Sequence, residues 1–213
     1  MSETLIAEAR PAPAMRIIDR ILLLATALLA AYQVTAGIEG LPTLVILLQT
    51  VAFGVLLVAC LLLIIFGYEA LRSPVVVIVA AVLPLALSLA LIYQSLPALA
   101  PGYVGVAAAG LLAVALSRFL ASAKLATIIL ALVHGMAGAL ILALPLYLTL
   151  RGATPAGFAL VSLGGGLIDL GGLALASLRA SRPVLPERRI VALLAPLLLA
   201  MTAAFVAGLA QVR

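Results

Sequence analysis

The sequence predicts an all-α fold, a polytopic transmembrane bundle of seven helices, and three observations carry that expectation. The 213 residues are 67% hydrophobic, with a mean hydropathy of +1.40. Only 9% of them are charged, against roughly 25% in a soluble domain. The charged residues are also spaced so that they leave apolar runs of the length, about 20 residues, that a helix needs to cross a hydrocarbon core of about 30 Å.

Residues 1–20 read as a cytosolic arm. Glu3, Glu8, Pro11 and Pro13 interrupt the charged-then-apolar pattern of a secretory signal, and no small-residue cleavage site follows the first apolar run. The first span, 21–38, is the shortest and begins just after Asp19 and Arg20, whose side chains can reach the membrane interface from the helix end. The second, 41–67, lies between Gly40 and Tyr68 and contains Cys60, read as inert packing. The apolar run from Ser73 to Ser117 is too long for one crossing. Gln94, Ser95, Pro97, Pro101 and Gly102 form a turn-favouring cluster within it and divide it into spans 74–93 and 103–117. Spans five, six and seven are expected at 125–149, 155–178 and 190–211. Pro84, Pro145 and Pro196 fall inside spans three, five and seven, where a missing amide donor favours kinks. Residues 21–212 thus form a single transmembrane domain.

The basic residues give an independent reading of topology, because loops on the cytoplasmic side are enriched in Lys and Arg. Arg10, Arg16 and Arg20 precede span one, Arg72 follows span two, and Arg118 and Lys124 separate four from five. Arg179, Arg182, Arg188 and Arg189 separate six from seven, leaving only Arg151 and Arg213 on the other side. The N-terminus is therefore expected in the cytoplasm and the C-terminus outside. Tyr32, Tyr93, Tyr103 and Tyr147 then fall near the outer interface and Tyr68 near the inner one, positions that favour an amphipathic ring. The net charge of +5 is accounted for by this loop pattern, and no nucleic-acid partner is expected.

One Cys and one His exclude an internal disulfide and the usual clustered zinc or haem ligand sets, so neither a metal nor another cofactor is expected. Two ionisable residues lie at membrane depth, where insertion costs at least about 2.5–3.5 kcal/mol and a function or a partner has to be sought. Asp169 is in the middle of span six and His134 near the middle of span five. The short connection around Arg151–Pro155 makes these spans antiparallel neighbours, and a rise of about 1.5 Å per residue puts the two side chains within about one turn in depth. Gly165, Asp169 and Gly172 share one side of span six at i, i+4, i+7, and Gly135 and Gly138 flank His134 on span five. Small residues of this kind allow close helix approach. The pair is read either as a proton relay or as a mutually satisfied packing contact.

Gln49 and Ser162 are the further candidates for a polar lining, and a Gln in this setting more often bridges helices. The glycine triplet 164–166 followed by an acid is superficially similar to the glycine-rich motif of trimeric intracellular cation channels. No Arg stands between Gly166 and Asp169, and no second glycine triplet occurs in the first half of the chain, so no family follows from it.

No nucleophile motif or carboxylate pair supports catalysis. The expected function is that of a non-catalytic integral membrane protein. It would be a membrane-embedded subunit or scaffold packing against lipids, a membrane-protein partner or further copies of itself, in the cytoplasmic membrane of a prokaryote. The alternative is a small proton-linked transporter or channel that uses Asp169 and His134 near the midplane.

Overall fold

A computed structural model of the chain describes residues 14–35, 40–179 and 185–212. Most of the expected N-terminal arm and the centre of the connection between spans six and seven, including Arg182, therefore lie outside the described residues. Every regular element among the described residues is a helix, and seven of them are long and apolar enough to cross a membrane. They are α1 (Ile17–Thr35), α2 (Thr43–Phe66), α3 (Pro74–Ser95), α4 (Ala100–Leu120), α5 (Ala123–Leu150), α6 (Ala159–Arg179) and α7 (Glu187–Leu209).

The helices reach past the charged residues that bounded the expected spans, because a side chain at a helix end can bond the free backbone groups there. The clearest case is α1, which begins ahead of residue 21. The Asp19 carboxylate accepts the Arg16 backbone N–H at 3.1 Å, which is half of a capping box at the start of the helix. Ser122 caps α5 in a similar way, accepting the Leu125 N–H at 3.4 Å. At the far end of α5 the chain reverses through Gly152, whose φ of +70° is a left-handed conformation suited to glycine. Gly152 N–H reaches the Thr149 carbonyl at 3.0 Å and Ala153 N–H the Leu148 carbonyl at 2.9 Å. This is a Schellman closure, and it returns the chain directly into α6.

Six of the helices form a ring in the order α1, α2, α3, α5, α6, α7, closed by the contact of α7 with α1. α4 stands outside the ring and packs on α3 and α5. The short connections on either side of α4 are equally compatible with a place inside the ring. Pro84, Pro145 and Pro196 are each contained within α3, α5 and α7, and the helices continue through them.

The ring has no open centre between α2, α3 and α7. Phe53 and Phe205 meet edge to face with ring centroids 6.5 Å apart. Together with Ala52, Leu56, Leu83 and Leu87 they leave no room for a water molecule. The outer surface is apolar as well: Leu28, Leu132, Leu163, Leu170 and Leu173 are all exposed. Lipid tails are as apolar as these side chains, so association must come from close packing and from polar links between helices. One such link joins the buried Gln33 of α1 to Gln49 of α2, with Gln33 Nε2 donating to Gln49 Oε1 at 3.2 Å. Another joins the Ser88 hydroxyl of α3 to the Tyr103 hydroxyl of α4 at 2.8 Å. Thr26 and Thr202 return their hydroxyls to the carbonyls of Leu22 and Leu198, as the sparse polar inventory of such helices generally does.

Candidate functional site

The seam between α5 and α6 holds both intramembrane ionisable residues, and glycine determines its shape. A Cβ on Gly165 would lie 2.8 Å from Leu142 N and 2.9 Å from the Ile141 carbonyl carbon, so the two backbones are in contact there. One turn along α6, the Asp169 carboxyl occupies the space that a side chain on Gly138 would need, with its Cγ 2.5 Å from that Cβ position. A further turn along, the His134 ring lies against Gly172, its Cδ2 and Nε2 at 3.1 and 3.3 Å from the corresponding position. The register is antiparallel and regular, with Gly165 on Ile141 and Leu142, Asp169 on Gly138, and Gly172 on His134. Each large polar side chain thus fills a notch left by a glycine of the opposite helix.

This register also keeps the acid and the imidazole apart. They occupy successive layers of the seam, and no hydrogen bond or ion pair joins them. Asp169 Oδ1 and His134 Nε2 are both buried without a partner. The mutually satisfied pair considered from the sequence is not formed, because each residue faces a glycine and the other lies one turn away. An unpaired charge at this depth is expensive. On α6, Asp169 stands between the row facing α5 and the exposed Leu170 and Leu173, and it is half-buried.

The other candidates are placed as follows. Ser162 is buried two turns from Asp169 on α6, its hydroxyl has no partner, and it is not joined to Asp169 or His134. Gln49 bridges α1 and α2 and lines no opening in that position. Gly135 faces open space with nothing within 4 Å of its Cβ position, so it makes no close helix contact; Gly138, one residue short of a turn further along, carries that role on α5.

Two arrangements escaped sequence reasoning. α6 has a second glycine row, with Gly164 against the Phe205 ring and Gly171 against Leu197, while Gly208 of α7 lies against the backbone of Val161. The doublets Gly164-Gly165 and Gly171-Gly172, seven residues apart, were the available signal: they draw two parallel rows on one helix, one for each neighbour.

The second is a polar cluster at the arginine-rich end of the bundle. Asp19 is 1% exposed although it stands in the first turn of α1. Arg16 Nη2 and Nε donate to its carboxylate at 2.7 and 3.1 Å, and Nη2 also reaches the Ala192 carbonyl of α7 at 3.4 Å. The bond to Asp19 holds the Arg16 guanidinium above its ordinary pKa. Tyr68, in the 3₁₀ turn Gly67–Arg72 that follows α2, is buried, and its hydroxyl has no hydrogen-bond partner. The Arg-x-x-Asp spacing at a helix start was visible in the sequence, but its closure onto α7 was not.

At the opposite end, a cavity of about 260 Å³ opens between Gln94, Ser95, Leu148, Thr154, Phe158 and Val212. Neither Asp169 nor His134 lines it.

Seven apolar helices, apolar outer faces and a glycine-packed interior define a polytopic integral membrane protein in contact with the lipid bilayer. Comparison of the chain with protein-family models, curated proteins and solved structures finds no match.

Proposed function

We propose that this protein is a non-catalytic, membrane-embedded subunit or scaffold that acts by packing against lipids, further copies of itself or a membrane-protein partner. The observation that supports this reading best is the occupation of glycine notches by Asp169 and His134 in a tightly packed seam. A relay would need them connected to each other or to water. The side chains that fill the space between Phe53, Leu87 and Phe205 support the same reading, since a solute path through that part of the ring would have to displace them. On this proposal the protein resides in the cytoplasmic membrane of a prokaryote, with the arginine-rich end inside and no nucleic-acid partner.

The second reading, a proton-linked transporter or channel, is favoured by one observation: Asp169 Oδ1 and His134 Nε2 are buried and unpartnered, as groups that exchange a proton would be. The two readings separate in proteoliposomes under an imposed pH gradient. For the scaffold, wild type and Asp169→Asn give the same proton flux as protein-free vesicles. Flux above that background from wild type, abolished in a folded Asp169→Asn variant, would replace the first reading by the second.

A further inference from the structure

The cavity at the end of the bundle opposite the arginine cluster adjoins a surplus of hydrogen-bond acceptors. Pro97 has no backbone N–H to offer the last turn of α3. Among the described residues, only Ile92 of that turn has its carbonyl taken from beyond the helix, by the Leu96 N–H at 2.8 Å, while the Leu99 N–H goes to the Leu96 carbonyl. The carbonyls of Tyr93, Gln94 and Ser95 accept no backbone hydrogen bond, and they carry the negative end of the α3 dipole. The end of α5 differs, because the N–H groups of Arg151, Gly152 and Ala153 close it. Gln94 and Ser95 line the cavity, and their half-buried side chains make no hydrogen bond among the described residues. Thr154 adds a hydroxyl, 3.2 Å from that of Thr149, and Leu148, Phe158 and Val212 supply an apolar wall. No charged side chain lines the space, and Arg151 is held over the Tyr147 ring, 5.8 Å from its centroid. The volume of about 260 Å³ is about nine times the share of one molecule in liquid water.

We propose that this cavity binds a small primary ammonium ion, with its charged group at the Gln94 and Ser95 end of α3 and a short alkyl body against Leu148, Phe158 and Val212. A primary ammonium donates three hydrogen bonds and accepts none, so it matches the unused oxygens and the negative end of the helix together. A neutral alcohol of the same shape has one donor and no charge, and a quaternary ammonium has no donor at all. The site shares no residue with the seam of Asp169 and His134, and the inference is independent of whether the protein is a scaffold or moves protons.

Protection of a cysteine placed at the cavity tests it in the full chain, in membranes. Cys60 is the single cysteine and is replaced by alanine, and Ala153, an exposed residue of the lining, is replaced by cysteine. The rate at which an anionic methanethiosulfonate modifies position 153 is followed while n-butylammonium chloride is titrated against sodium chloride at equal ionic strength. Saturable slowing is expected, half-maximal in the millimolar range that suits so small a ligand. Tetramethylammonium chloride and n-butanol are each expected to need about tenfold more for the same effect. Ser95→Ala and Gln94→Leu, each made in the Ala153→Cys chain, raise the half-protecting concentration of n-butylammonium about fivefold. Arg151→Cys, outside the cavity, is modified at the same rate with and without the cation. The proposal is overturned by the absence of saturable slowing up to about 100 mM, by equal protection from n-butanol, by equal protection at position 151, or by titrations that neither Ser95→Ala nor Gln94→Leu displaces. No reaction at position 153 without cation would also overturn it, because the cavity would then be closed to solutes.

Discussion

Replacing Gly165 by leucine is expected to lower the melting temperature of the solubilised protein by about 6–12 °C, corresponding to about 3 kcal/mol for a chain of this size. The reason lies in what the new side chain meets. Its Cβ would stand 2.8 Å from Leu142 N and 2.9 Å from the Ile141 carbonyl carbon, and backbone cannot rotate away as a side chain does. The helices must separate, and Asp169 and His134 in the neighbouring layers lose their notches with them. Gly166→Ala is the matched control, because its Cβ would meet only Leu142 Cδ1 at an ordinary 3.6 Å. That substitution is expected to be neutral or to stabilise by up to about 1 kcal/mol through helix propensity. Thermal unfolding of the two variants beside wild type measures both, and equal effects would mean that α5 and α6 do not touch at Gly165.

The second large effect is a change of sign at Gly138. In the wild-type chain Gly138→Ala places a methyl group where the Asp169 carboxyl sits, and the variant is expected to lose about 1–3 kcal/mol. In an Asp169→Ala background the same methyl enters vacated space, and the substitution is expected to stabilise by up to about 1 kcal/mol. The coupling between the two positions is then about 1–4 kcal/mol, beyond the additivity expected of independent sites. Gly172→Ala gives a milder comparison. There the neighbours are His134 Cδ2 and Nε2 at 3.1 and 3.3 Å, and a small tilt of the ring accommodates the methyl group. Additive effects of Gly138→Ala and Asp169→Ala would show that the carboxyl does not occupy the Gly138 notch.

How far this arrangement could be read from the sequence depended on whether local spacing carried the information. The seven crossings were legible because the bilayer sets a fixed length and the charges mark its edges. The division at Pro97–Gly102 was legible because turn-forming residues interrupt an apolar run too long for one helix. The i, i+4, i+7 spacing of Gly165, Asp169 and Gly172 put the acid on the small-residue face of α6, and its carboxyl meets Gly138 of α5. The spacing did not distinguish residues at one level from residues one turn apart, and that single turn decides whether Asp169 reaches His134 or Gly138. Nor did it show that Gly135 points away from α6. The position of α4 outside the ring and the closure of Arg16 and Asp19 onto α7 are long-range outcomes of packing, and nothing within either helix encodes them.

The central claim is that Asp169 and His134 are packed against glycines in a helix seam and do not line a water path. Substituted cysteines test it most directly. In a Cys60→Ala chain, Asp169→Cys, His134→Cys and Arg151→Cys are treated in intact membranes with a charged methanethiosulfonate, which reacts with thiolates in contact with water. Arg151 lies in the exposed turn after α5 and is the positive control. The predicted result is rapid modification at position 151 and none at 169 or 134 in variants that remain folded. Modification at 169 or 134 at a rate comparable to 151 would contradict it, placing the acid and the histidine on an aqueous path through the membrane.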